Sequence, residues 1–243
     1  MPLKLCSAIF FCAALAGCAS TPQDPLEPFN RAVFNFNDKV DQAVLQPVAR
    51  GYRAAVPEIA RTGVTNFFAN LDDLWIGANN LLQGKLSDGL QDFIRFTFNS
   101  TFGIFGFIDV ASGMDLPKHN EDFGQTLGRW GVGTGPYLVL PIFGPSNFRD
   151  GAGFTFDSAA DIVRNLSDVP TRNSLYATRA VNTRTNLLDA GRVIDEAALD
   201  KYRFLRDAYL QRRRSLVYDG SPPLPKDEDE DDDKNPEPSG ASK

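Results

Sequence analysis

The chain has 243 residues, a formal net charge of −6, three cysteines and one histidine. Residues 226–243 alone carry eight acids against three lysines; without that tail and Lys4 the body is near neutral, at about −2. A near-neutral body lacks the concentrated basic charge that a phosphate backbone demands, so nucleic acid is not expected as a partner.

The N-terminus, MPLKLCSAIFFCAALAGC, has one cation, an apolar run from Leu5 to Leu15, and then small residues. That is the layout of a secretory leader, and the run is too short to remain as a spanning helix. Leu15-Ala16-Gly17-Cys18 has the form of a lipobox, in which the Cys thiol receives a diacylglycerol; a plain leader containing Cys is the alternative. Cys6 and Cys12 leave with the leader, so acylation accounts for the one thiol that remains. Ala19 rather than Asp follows the Cys, which in enteric lipoproteins favours the outer membrane. Several acyl chains anchor stably where one does not. The expected division is 1–17 as leader, 18–28 as lipidated tether, 29–218 as a helical domain and 219–243 as a solvated acidic tail.

Past the tether, Phe29, Val33, Phe36, Val40 and Val44 recur at helical spacing, and Pro47 is expected to break or kink the helix beyond them. Pro57 opens the next predicted helix, through Leu71, and a third runs from Leu74 to Leu82 with Gly84 as its stop. Ser87 or Asp88 is the predicted cap of a Phe-rich helix. Phe93–Ala111 then concentrates six phenylalanines around glycines. As a helix, residues 92–99 are apolar on most sides, with Asp92, Arg95 and Asn99 in one polar stripe. A helix so apolar is buried in a core or in lipid, and its stripe must face a partner, a cavity or water.

Residues 130–148 contain no charge but four glycines and three prolines, so they cannot form a regular helix in lipid. They either pack under other helices or wall a cavity; an extended loop in a soluble core is the plainer reading. Arg129 and Arg149 bracket the segment as residues at an interface would. A short helix is expected over 154–166, a polar loop over 168–174, and two further helices from Tyr176 and Ile194. The second ends in Arg212-Arg213-Arg214, which complement a helix dipole or meet anionic head groups.

Catalytic chemistry is unsupported. His119 has no second His or Cys to share a metal, there is no nucleophile elbow, and the alternating Gly131, Gly133 and Gly135 lead into Pro136 rather than a phosphate loop.

Several runs together resemble the VacJ/MlaA family of outer-membrane lipoproteins. They are Asp24-Pro25-Leu26-Glu27 with Phe29-Asn30-Arg31 and Phe34-Asn35-Phe36-Asn37, then Phe107-Ile108-Asp109-Val110-Ala111. Glu121-Asp122-Phe123-Gly124-Gln125-Thr126-Leu127-Gly128 comes next, then Gly131-Val132-Gly133, Gly135-Pro136-Tyr137, Leu140-Pro141, Gly144-Pro145 and Arg149-Asp150. Arg184 with Leu187-Leu188-Asp189, and Arg206-Asp207-Ala208-Tyr209, complete the ordered set over about residues 24–218. The resemblance implies an all-α, ring-like helical bundle embedded in the outer membrane around an amphipathic channel, interrupted by Gly/Pro-rich irregular segments. It implies removal of stray phospholipid from the outer leaflet, with a trimeric porin and a periplasmic lipid carrier as partners and no cofactor. A porin-associated scaffold that moves no lipid is the alternative.

A charged head group crosses hydrocarbon only at high cost, and a polar stripe inside a ring would lower that cost. Asp92, Arg95, Asn99 and Arg184 are the candidates for that stripe, and ion pairing of Arg95 within the helix packing is the competing expectation. On the channel reading, Arg95→Leu cuts lipid transfer and leaves the protein abundant. Gly131, Gly133, Gly135 and Gly144 are candidate backbone bends or close approaches.

Overall fold

A computed structural model describes residues 24–223. The leader, Cys18 and most of the acidic tail therefore lie outside the described residues. Helix α1 (Glu27–Val40) continues through a π-helical turn (Asp41–Leu45) into α2 (Gln46–Ala55). Pro47 cannot donate to the turn before it and its ring crowds that turn, yet the chain stays helical; the wider π turn ahead of it takes up the misfit.

The two helices expected between Pro57 and Gly84 are one, α3 (Glu58–Leu82), capped by Pro57. Nothing between Leu71 and Leu74 breaks it, because a change of buried face is not a break in the backbone. The Phe-rich helix α4 (Leu86–Phe102) starts after Lys85 without a side-chain cap, so neither Ser87 nor Asp88 serves as one. A 3-10 turn (Ser112–Met114) and α5 (Phe123–Arg129) come after it.

The charge-free segment contributes the only regular strands among the described residues, an antiparallel hairpin of β1 (Tyr137–Leu140) and β2 (Gly144–Asn147). Its outer edge is paired by side chains of α1. Asn30 Nδ2 donates to Tyr137 O at 3.0 Å and its Oδ1 accepts from Val139 N at 2.9 Å; Asn37 does the same for Leu140 O and Ile142 N. Two amides thus replace a third strand and leave no bare edge there.

Helix α6 (Phe148–Ala160) starts six residues before the expected one, capped by Asn147. Asp168 caps α7 (Val169–Asn186), so the predicted polar loop 168–174 is the first turn of a helix. Then come α8 (Leu188–Ala197) and α9 (Lys201–Val217), the latter capped by Asp200.

The packing partners run in a closed circuit. Helix α1 lies on β1, β2 lies on α6 and α9, α9 on α5, α5 on α3, α3 on α7, and α7 on α2, which continues α1. Arg179–Asp72 (2.7 Å) joins α7 to α3, Thr126–Asn79 (2.7 Å) joins α5 to α3, and Tyr209–Asp150 (2.7 Å) joins α9 to α6. Helix α4 packs on α3 outside the circuit. The architecture is all-α apart from the hairpin.

Polarity is reversed relative to a soluble domain. Among the described residues the buried side chains are mainly polar, while Phe29, Phe36, Leu86, Leu90, Ile94, Phe102 and many other large hydrophobics are exposed. On α4 this is one pattern, with Asp92, Arg95 and Asn99 buried and Leu86, Leu90 and Ile94 facing out. No helix among the described residues is long and apolar enough to cross a membrane.

Candidate functional site

Within the circuit, α3, α6, α7 and the hairpin turn enclose an open cavity of about 1000 Å³. That is the top of the range for small-molecule pockets, roughly 300–1,000 Å³. Its wall carries apolar side chains, Leu71, Trp75 and Ile76 from α3, Phe154 from α6, Phe143 from the turn and Tyr176 from α7. Among them stand charges of both signs, Asp72, Asp157, Asp161, Arg164, Arg172 and Arg179.

The positions of these groups derive from the helices that carry them. Arg179 reaches from α7 to both oxygens of Asp72 on α3, at 2.8 and 2.7 Å, and to Asp161 at 3.3 Å, so its guanidinium is fixed. Arg164 and Arg172 form no ion pair among the described residues and are free to meet an anion. Asp157 accepts from Trp75 Nε1 at 2.7 Å and from Phe123 N at 2.8 Å. Burial pushes its carboxyl above the usual range, although both donors pull the other way. Burial likewise raises Asp72 against the pull of Arg179.

The floor is held by a charged knot. Arg213 of α9 bonds Asp122 (2.9 Å) and Asp150 (2.9 Å), tying α9 to α5 and α6. Burial disfavours the Asp122 carboxylate, but Arg213 outweighs it and the carboxyl lies below its ordinary range. The approach depends on two glycines: a Cβ on Gly153 would stand 2.6 Å from Gly124 N, and one on Gly124 would stand 2.7 Å from Asp150 Oδ1. Arg149, expected at a membrane border, is instead buried and bonded to Asp150 at 2.9 Å.

None of the four residues expected in a channel stripe lines this cavity. Asp92, Arg95 and Asn99 are buried where α4 meets α3 and the segment after it. Arg95 Nη2 donates to both Asp109 oxygens (2.9 and 3.0 Å), Nη1 bonds Leu116 O, and Nε lies 3.7 Å from Asp73. Asn99 donates to Asp109 at 3.1 Å and accepts from Ala111 N at 2.9 Å. Asp92 takes a hydrogen bond from Asn80 and lies 2.8 Å from His119 Nδ1. Burial works against the Asp109 carboxylate, yet bonds from Ser112, Arg95 and Asn99 hold it down at about 2. The stripe packs against α3 and the segment after α4 in the same chain, and Arg95 is ion-paired there. Arg184 bonds both oxygens of Asp41 and borders a separate, smaller recess.

Of the four glycines, Gly131, Gly135 and Gly144 have φ of +92°, +67° and +84°, which side chains rarely adopt, and Gly135 abuts Phe148. Gly133 shows neither a positive φ nor a close neighbour. Sequence reasoning did not find Asp72, Asp157, Arg164, Arg172 or Arg179. The signal for them was weak: single charges on otherwise ordinary helical faces, brought together only by the packing of α3, α6 and α7.

Helices closed in a circuit, charged within, with many large hydrophobics outside and an amphipathic cavity, define a class of protein suited to a lipid surface. The chain belongs to the MlaA lipoprotein family, whose model matches residues 22–216. A relative from Escherichia coli (strain K12), "Intermembrane phospholipid transport system lipoprotein MlaA", is 37% identical over 90% of this chain and 91% of its own length. The protein of the same name from Haemophilus influenzae is 34% identical over 88% of this chain and 90% of its own. A solved chain described under "Structural basis for maintenance of bacterial outer membrane lipid asymmetry" superposes with a TM-score of 0.70 at 36% identity, covering 80% of this chain and 98% of that one.

Proposed function

We propose that this protein is the outer-membrane lipoprotein of an intermembrane phospholipid transport system. It takes mislocalised phospholipid from the outer leaflet and passes it toward the periplasm, so keeping the two leaflets different. The observation that carries this reading is the cavity: charged and aromatic groups share its wall, inside a body that exposes many large hydrophobic side chains. Arg164 and Arg172 receive the lipid phosphate, and Asp72 with Asp161 holds Arg179 beside them. Trp75, Phe143, Phe154 and Tyr176 cover the glycerol and upper acyl chains, while the tails trail into apolar surroundings. The charged head then crosses the hydrocarbon level beside fixed charges, which removes most of its desolvation cost.

Acylated Cys18 anchors the protein from the periplasmic side, and a trimeric porin seats the ring in the membrane. A soluble periplasmic carrier accepts the lipid. The transfer makes and breaks no covalent bond, so the protein works without enzymatic chemistry or a cofactor.

The full-length protein, purified in neutral detergent from the outer membrane, should carry phospholipid. The Arg164→Gln, Arg172→Gln double variant should carry severalfold less at an unchanged melting temperature, because neither side chain has an ion-pair partner among the described residues. Equal lipid in both proteins would remove the cavity from the account. Lysophospholipid or free fatty acid released by the pure protein would instead indicate a lipid-degrading enzyme.

A further inference from the structure

Outside the circuit's large cavity, a recess of about 280 Å³ lies where α2 meets the end of α7 and the start of α8. Four arginines border it, Arg50 and Arg53 from α2, Arg184 from α7 and Arg192 from α8, against two acids, Asp189 and Asp195. Four such cations gathered in one recess repel one another unless anions balance them.

The acids balance them only in part. Asp189 takes Arg53 at 3.1 Å and lies 3.8 Å from Arg192. Asp195 is shared with Lys201, which it contacts at 2.7 Å. Arg184 is the fixed member: its Nε and Nη2 bond Asp41 at 2.6 and 2.8 Å, and its other terminal nitrogen, Nη1, carries no hydrogen bond among the described residues. Asp41 raises the Arg184 pKa further, so its charge is permanent. A Cβ on Gly191 would stand 3.6 Å from Arg184 Nη1 and Nη2, in ordinary contact. Arg50 spends only Nη2, on the neutral oxygen of Gln46 at 2.9 Å.

Guanidinium groups with free donor edges, gathered in a concave recess, match a phosphate oxyanion.

We propose that this recess is a binding site for a phosphate oxyanion, carried by an acidic phospholipid head group or free in solution, separate from the transport cavity. Arg184 Nη1 and Arg50 Nη1 donate to the phosphate oxygens, and Arg53 and Arg192 supply the surrounding charge. It stands whether or not the large cavity carries lipid.

The test titrates full-length protein in neutral detergent with dihexanoyl phosphatidylglycerol below its micellar concentration, with inorganic phosphate and dihexanoyl phosphatidylcholine as parallel arms. Arg50→Glu with Arg192→Glu leaves the fold intact, since both side chains are exposed and make only local contacts. This variant should bind phosphatidylglycerol about tenfold more weakly and phosphatidylcholine unchanged. Inorganic phosphate binding as tightly as the acidic lipid, and lost in the same variant, supports the oxyanion site with a free anion as its ligand. Unchanged phosphatidylglycerol and phosphate binding in the variant overturns the proposal. The Arg164→Gln, Arg172→Gln protein serves as the control that keeps this site and loses cavity lipid, so the two readings fail separately.

Discussion

Arg95 shows how one residue changes meaning between sequence and structure. On the sequence it is the cation of a polar stripe on an apolar helix, and Arg95→Leu reads as a transport mutation. In the fold its side chain is 1% exposed and pairs with Asp109, beside Asp73. Removing it leaves the part-exposed Asp109 without its arginine and the buried Asp73 with Lys118 alone, a loss of about 1.5–3 kcal/mol. Arg95→Leu is therefore expected to lower the melting temperature sharply and deplete the protein; a melting temperature within a degree of wild type would contradict the pairing. Asp109 adds a pH dependence. Its folded pKa, about 2, lies below that of a free Asp. Its stabilising contribution is thus complete above about pH 5, where a free Asp is ionised, and is lost progressively as pH falls through 2; the size is on the order of 2 kcal/mol. Denaturant titrations at pH 5 and pH 3 should show that loss in wild type, and Asp109→Asn should flatten it while being less stable at pH 5. Cavity residues such as Arg164 and Arg172 were not legible, because nothing in a local pattern marks which exposed charges will face one another.

Elements were legible where the pattern is local and obscure where the partner is distant. Apolar spacing and Pro57 locate α1 and α3, but the apparent gap at Asp72–Asp73 is a place where α3 turns acids toward Arg179 and Lys118. Asp168 read as loop because its capping role appears only with the helix after it. The hairpin was hidden for a related reason: β1 is satisfied by Asn30 and Asn37 from a helix more than a hundred residues earlier. The asparagines in the Phe29–Asn37 run are thereby explained as edge partners of a strand. Asn30→Ala should expose Tyr137 O and Val139 N together, each a buried group costing about 1–3 kcal/mol unpaired, and hydrogen exchange at Val139 should rise. Protection at wild-type level would mean the hairpin holds its own edge. At the junction of α5 and α6, Gly153→Ala forces a Cβ against the Gly124 backbone. A destabilisation of about 1–3 kcal/mol is expected from overpacking, read by thermal melting, and a neutral substitution would show that the two helices separate freely.

At the scale of the whole molecule, composition pointed to a near-neutral body, and the Phe-rich run to a helix buried in a core or in lipid. The reversed polarity makes that physical: charged knots inside the circuit hold the helices in register, and hydrophobic side chains are left for the outside. Buried ion pairs specify an arrangement more than they stabilise it, which suits a ring that must keep an opening rather than collapse on an apolar centre. The sequence resemblance reached the family and the all-α class, since ordered motifs survive at a third identity. It did not reach the cavity, whose lining comes from helices far apart in the chain.

Lipid leaving the outer leaflet through the cavity of an anchored protein is the central claim. The most direct measurement is outer-leaflet phospholipid on intact cells lacking the gene, then restored with wild type, Cys18→Ser, or Arg164→Gln with Arg172→Gln at matched abundance. The account predicts that phospholipid accumulates at the surface on deletion, that wild type clears it, and that neither variant does. Clearance by the cavity variant as complete as by wild type, or a surface unchanged by deletion, would contradict it.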